Sequence, residues 1–417
     1  MTTKKTARPA RPKRWATPAA LARFLSCPRR AEIEQENGWR IGGGTRPWPP
    51  QLREALAFAL RAADLASFSE GTRDSRQEIA DRALLVWANA AISGAPREKV
   101  NPNPSAFAPN NRQKVQDVFD DASGILRHVL SALAPPRFVA DERGRPFIAQ
   151  VVDLGIPKTN GRPSGARVAV QLDGIVELTC GSRAALVRRF TRNPDREGMI
   201  DALRFDLDLR PAVAAATALL GSPVEAALVE VVRLRSPSIP ETLKCKHKSR
   251  IAAEAVEVVE APTCPICSGT DVAGISAAQC DTTIGAWERR LAEFPHLDAT
   301  KERERAATFL SRLRDRGDSF TYRAQVPVGP SDLRSWADDV LATFRLIATA
   351  RRGGTGWPKN AAACHVPPCP FQALCSNRHH LFFGEDDAPF KPGGPGWTAG
   401  LLWCDRDGPT RRATWAI

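Results

Sequence analysis

Apolar residues first recur at helical spacing at Leu21, Phe24 and Leu25, directly after Thr17-Pro18, where an N-cap threonine and a first-turn proline open a helix. Cys27 falls on this predicted helix. The same periodicity predicts helices over Gln51–Ala66, Asp74–Ala91 and Arg112–Leu133, with loops such as Asn101-Pro-Asn-Pro-Ser between them, so the first third of the chain reads as mainly helical. From Arg137 the texture changes. Short runs of β-branched and apolar residues with turn signals between them predict strands at Phe147–Val152, Val168–Leu178 and Ala184–Phe190. A helix over Leu209–Leu220 and a strand over Val224–Leu234 follow, giving the β-β-β-α-β order of a mixed α/β sheet.

Ser236–Cys280 interrupts this pattern with prolines, lysines and cysteines and reads as an insertion. Helices resume at Thr282–Phe294 and Lys301–Arg314, a strand fits Phe320–Val326, and Ser331–Ala350 is helical again. The expected organisation is a basic arm without helical periodicity over residues 1–16, one domain over 17–378 carrying the insertion 236–280, and a Gly/Pro-rich surface tail over 379–417.

The 417 residues are 43% hydrophobic, enough for at least one large core without disulfides. Ten cysteines are too few for a disulfide scaffold. No apolar stretch approaches the ~20 residues that span a bilayer, and no signal peptide is recognised. The expectation is a cytoplasmic protein with reduced thiols and no membrane partner. Lys and Arg outnumber Asp and Glu by 59 to 46, and the net charge of +13 favours a polyanionic partner such as DNA. A compositional bias toward arginine is the alternative reading, because the charge is spread along the chain.

Cys364, Cys369 and Cys375 stand in C-x4-C-x5-C spacing, which can bring three thiolates onto one centre; a fourth ligand is then needed. Soft thiolates suit zinc or an iron-sulfur cluster, and ligand chemistry alone does not choose between them. Ser26-Cys27-Pro28-Arg29-Arg30, taken with this triplet, resembles the PD-(D/E)XK nucleases of the RecB/AddB type, with a restriction-endonuclease-like mixed sheet core and flanking helices. The resemblance runs over most of Thr17–Arg378 and implies a 4Fe-4S cluster on Cys27, Cys364, Cys369 and Cys375, clasping the two ends of the domain, with zinc as the alternative metal. The first gap of the triplet is wider than the common C-x2-C-x5-C.

Leu172-Asp173-Gly174-Ile175 resembles the family strand that bears the first metal-binding aspartate, and Asp206-Leu-Asp-Leu-Arg-Pro, before an alanine-rich helix, resembles its Gln-x-x-x-Tyr region. Asp281-Thr282-Thr283 and the strand near Arg323 resemble the phage-type branch. In that family an aspartate and a second carboxylate hold Mg²⁺ while a lysine assists. Here the Glu-x-Lys triplet falls on Arg188, Arg189 and Phe190, and the glutamine and tyrosine fall on Arg210 and Ala214. An arginine has no lone pair to offer Mg²⁺. Either Asp206 or Asp208 has replaced the lost carboxylate in a Mg²⁺-dependent exonuclease, or the fold has become a non-catalytic binder. The second is favoured, because Arg188, Arg189 and Arg210 would still hold a DNA backbone.

Cys245 with His247, and Cys264 with Cys267, form two ligand pairs suited to a zinc ribbon, with Cys280 as a substitute for His247. Lys244, Lys246, Lys248 and Arg250 surround them and would give a basic finger for nucleic acid. The expected function is DNA binding in repair, recombination or phage-related processing. An active exonuclease and a non-catalytic subunit of a helicase-nuclease assembly are the alternatives.

Overall fold

The computed structural model describes residues 17–27, 39–41, 48–68, 75–93, 112–158, 160–192, 198–199, 203, 209–244, 272–277, 281–352, 390–392 and 411–414. Helix α1 (Pro18–Ser26) begins where the Thr17-Pro18 signal places it and buries Leu21 and Phe24, while Leu25 faces outward. Cys27 follows the last helical residue and is buried. After the short strand β1 (Trp39–Ile41) come α2 (Trp48–Phe68), α3 (Arg76–Ser93) and α4 (Arg112–Ala132). These three pack on one another through Leu52, Leu56 and Leu60, Leu84 and Trp87, and Val118 and Leu126. Alanines 55, 59, 63 and 80 lie in the same core, where small side chains let helices approach closely.

The main sheet starts with β2 (Arg137–Phe138), β3 (Ile148–Pro157), β4 (Pro163–Glu177) and β5 (Arg183–Thr191), then crosses through α5 (Leu209–Leu220) to β6 (Ala226–Arg233). The strands β3, β4 and β5 are antiparallel neighbours, and β6 lies parallel to β5 as a helical crossover requires. This is the β-β-β-α-β order expected from the sequence. Alternating apolar residues explain the sheet: Ala185 and Val187 on β5 and Ala227, Val229 and Val231 on β6 all enter one core with Leu209, Val213 and Ala216 of α5. Burying each of these larger side chains contributes roughly 1.5–3 kcal/mol. The three-helix unit packs against the far end of the sheet through Val232, Leu234 and Phe190.

The insertion opens with β7 (Thr242–Lys244) and closes with β8 (Val272–Ile275), which pair antiparallel and so bring its two ends together. Residues 245–271, with most of the expected zinc ligands, lie outside the described residues. Three helices follow: α6 (Ile284–Ala292), α7 (Ala299–Arg305) and α8 (Ala307–Arg316). The single helix expected over Lys301–Arg314 is two, parted at Ala306 (φ −92°, ψ 5°). Glu302 accepts the Ile275 N–H and Arg305 donates to the Ile275 carbonyl, so α7 is fastened to β8 while α8 turns away to bury Phe309, Leu310 and Leu313.

Strand β9 (Thr321–Pro327) pairs antiparallel with β6, and α9 (Pro330–Arg352) returns to α5 with Trp336 and Val340 in the same core. The chain near its end is not only a tail. Strand β10 (Phe390–Pro392) pairs with β1, and β11 (Arg411–Thr414) joins the main sheet parallel to β3, giving the order β11-β3-β4-β5-β6-β9. The β1–β10 ladder runs the main chain that follows Cys27 beside the main chain that follows Cys375. Gly/Pro-rich surroundings hid these strands, whose pairing partners lie far away in sequence.

Candidate nucleic-acid interface

The candidate site is built where β4 and β5 separate. Their ladder runs from Glu177 opposite Arg183 to Gly174 opposite Leu186 and goes no further. The next amide on β5, that of Arg188, would be left without an acceptor, and Asp173 fills the gap: its Oδ2 accepts the Arg188 N–H at 2.7 Å. On the other side of Asp173, β3 is bent at Ala149, whose φ of 47° makes it the only non-glycine residue with positive φ among the described residues. Such strain clusters at functional sites. Gly174 is required there, because a Cβ would come within 2.6 Å of the Phe138 ring and 3.2 Å of the Phe147 carbonyl.

The Arg188 side chain does not enter solvent as a basic face would. Its exposure is 4%, and it lies between Asp64 of α2 (0%) and Glu230 of β6 (3%). Nη2 donates to Asp64 Oδ2, and Nε donates to Glu230 Oε1 at 2.9 Å. Glu230 sits directly across the parallel ladder from Arg188, and Arg323 of β9 directly across the next. Arg323 donates twice to Glu230 Oε2, at 3.1 and 2.8 Å. Arg76 of α3 completes the set with Asp64 at 3.3 Å. Three guanidinium groups thus face three carboxylates, Asp64, Asp173 and Glu230.

Burial pushes Asp173 above the usual carboxylate range, and the charges of Arg188 and Arg189 and the Arg188 N–H only partly oppose it. Asp64 is raised by burial too, against the pull of Arg188 and Arg76. Glu230 goes the other way: burial raises it, but Arg188 and Arg323 overcome that and hold it below the usual range. Arg188 itself is held above its ordinary value by Glu230, Asp64 and Asp173 despite its burial.

Arg61 of α2, one turn before Asp64, is half-buried, and its Nε has no hydrogen-bond partner among the described residues. Its guanidinium is lowered by burial and feels Asp173 as its compensating charge. Arg189 acts on Asp173 as well. The structure brings Asp173, Arg188 and Arg189 together, with Arg188 buried rather than displayed. Arg210 stands half-buried in the first turn of α5, and among the described residues no ion pair ties it to this network. Asp64, Arg76 and Glu230 carried no motif that would single them out. The one available signal was a charge inside an apolar run, at Glu230 in Ala-Ala-Leu-Val-Glu-Val-Val and at Asp64 on the apolar face of α2.

Among the described residues, no group of three or more His, Cys, Asp or Glu side chains is placed to share a metal ion. Asp206, Asp208, Cys245, His247, Cys264, Cys267, Cys280, Lys246, Lys248, Cys364, Cys369 and Cys375 lie outside the described residues, as does the side chain of Lys244.

Two outcomes are expected from this geometry. Arg188→Met leaves Asp64 and Glu230 buried with weakened compensation and should lower stability by about 3–5 kcal/mol in urea unfolding, and Arg188→Met with Asp64→Leu should recover part of that loss. Asp173→Asn keeps the acceptor for the Arg188 N–H and removes a charge that burial disfavours. Because the folded-state pKa of Asp173 is raised, its contribution to stability is fully present below the unfolded value of about 3.9 and is lost as pH rises through the folded value. The Asn variant should therefore match the parent at about pH 3–4 and exceed it in melting temperature at neutral pH.

In comparisons with known proteins, no protein-family model and no curated protein sequence matches the chain.

Proposed function

We propose that this protein binds DNA through a PD-(D/E)XK nuclease-like fold whose hydrolytic chemistry is impaired. The single observation that carries the reading is Arg188. It stands at the position that the resemblance assigns to the second metal-binding carboxylate, and its guanidinium engages Asp64 and Glu230, the two nearby carboxylates that would otherwise be open to a metal ion. A fixed +1 charge occupies the centre of this carboxylate set, so Asp173, Asp64 and Glu230 do not fit a Mg²⁺ site. The buried charges are balanced internally, which leaves the half-buried Arg61, beside Asp173, to meet a backbone phosphate, with the charge of Arg189 adding to the positive field there. Contacts of this kind position a duplex without reading its sequence. The strand order and the net charge of +13 agree with the reading.

Purified protein with end-labelled DNA tests this proposal in the presence of Mg²⁺ or Mn²⁺. The expected result is binding that weakens steeply with salt and leaves the DNA intact. Arg61→Ala should reduce affinity several-fold. Degradation of the label that Asp173→Ala abolishes would overturn the impaired-nuclease reading in favour of an active exonuclease.

The cysteine centres belong to the same proposal. Cys27 is buried at the end of α1, and the β1–β10 pairing supports a clasp joining it to Cys364, Cys369 and Cys375 around a 4Fe-4S cluster. Zinc is proposed for Cys245, His247, Cys264 and Cys267. Anaerobically purified protein should be brown and contain iron and acid-labile sulfide, both lost in Cys27→Ser. Colourless protein containing only zinc would replace the cluster with a second zinc site.

A further inference from the structure

A second cluster of guanidinium groups lies beyond the end of β6 and has no part in the network around Arg188. Asp281, the residue before the Thr282-Thr283 start of α6, is approached by three arginines: Arg233 at 2.6 Å, Arg316 at 3.3 Å and Arg235 at 3.7 Å. One carboxylate cannot balance three such charges. The Asp281 carboxyl is held below the usual range, its slight burial being outweighed by Arg233 and Arg316.

Arg233 is the fixed floor of the cluster. Its side chain is 8% exposed, its guanidinium carbon lies 4.7 Å from the centre of the Phe320 ring, and its Nε and Nη1 are buried without hydrogen-bond partners among the described residues. Arg316 is steadied by Ser319 at 2.7 Å. Above this floor, Arg235 and Arg316 are exposed, at 61% and 43%. The loop that carries Arg235 is pinned. Ser238 N–H donates to the Asp281 carbonyl at 2.8 Å, and the Thr282 hydroxyl donates back to the Ser238 carbonyl at 2.7 Å. Pro237 and Pro240 are buried on either side of Ile239, which at 71% is the most exposed large apolar side chain among the described residues.

We propose that this proline-framed loop is a second nucleic-acid contact, in which Arg235 and Arg316 take backbone phosphates over the Arg233–Asp281 floor and Ile239 lies against bases. An excess of positive charge alone would suit any phosphate. An exposed isoleucine on a loop held by two reciprocal hydrogen bonds adds a rigid apolar surface, which free phosphate cannot use and which bases can, as apolar wedges do at base steps. The inference rests on the DNA-binding reading and extends it to residues outside the cleft.

The test compares the full-length protein with Arg235→Ala, Arg235→Ala/Arg316→Ala, Arg235→Lys/Arg316→Lys and Ile239→Ala, each verified as folded by circular dichroism. Anisotropy of a labelled 20-base-pair duplex and of the same duplex with a single-stranded overhang is followed over a salt series. Each phosphate contact removed should reduce the slope of log K against log salt by about 0.9, so the double alanine variant should lose about 1.8 and the double lysine variant should retain the parental slope. Ile239→Ala should weaken binding of the overhang substrate several-fold at an unchanged slope. An unchanged slope in the double alanine variant, with the parent binding normally, overturns this contact and leaves the cleft reading standing. A parent that shows no salt-sensitive binding overturns both.

Discussion

The buried guanidinium of Arg188 is the constraint on which the arrangement of helices and sheet depends. It takes one partner from α2, Asp64, and one from β6, Glu230, across sequence separations of 124 and 42 residues. Removing any one of these charges leaves its partners less compensated in a low-dielectric interior, where under-paired ions are costly. The three-helix unit is therefore held to the sheet by charge registration as well as by the apolar contact of Val232 and Leu234. Arg323 and Arg76 extend the registration outward, each taking the lone pairs that Arg188 does not use. Apolar packing resists displacement of α2 without direction, whereas a guanidinium that donates to one carboxylate on α2 and one on β6 fixes their register.

The same centre bears on chemistry. A nuclease of the resembled type needs a cation that can be recruited, can polarise water and can exchange ligands. A guanidinium between two carboxylates supplies a single positive charge, half that of Mg²⁺, and none of its Lewis acidity. Asp173 survives in this setting for a reason that is at least partly structural, since it accepts the amide that the parting strands leave open. Its raised carboxyl and the strained Ala149 opposite it show that the fork is maintained against local preference. Beside it, the half-buried Arg61 and the charge of Arg189 add positive potential that opposes the Asp173 carboxylate.

Much of the fold was legible because it follows from local pattern. Alternating apolar residues on β3 to β6 and the 3.6-residue periodicity of α2 to α5 are properties of short windows, and the β-β-β-α-β order follows from them. The partners of Arg188 were not legible for the opposite reason. Glu230 lies in an apolar strand at a position where a half-buried polar residue would look ordinary, and nothing local says that Arg188 lies across the ladder. Asp64 occupies the apolar face of a helix and is explained only by a strand 124 residues away. The break at Ala306 and the edge strand Arg411–Thr414 likewise depend on distant partners, Ile275 and β3.

Strand β6 shows how these two levels combine. Its apolar positions are those of any buried parallel strand, with Val229 and Val231 in the main core and Val232 in the helical core. Glu230 interrupts that pattern midway, and Arg233 and Arg235 at and beyond its end do so again. The first interruption is neutralised on both sides by Arg188 and Arg323, and so spends its charge inside the protein. The second is not neutralised, because Asp281 is shared among three arginines and two of them reach solvent. Arg235 and Arg316 are therefore left to water and counterions over much of their surface. That difference, rather than the number of arginines, separates the charges that hold this basic protein together from those that its own carboxylates leave uncompensated.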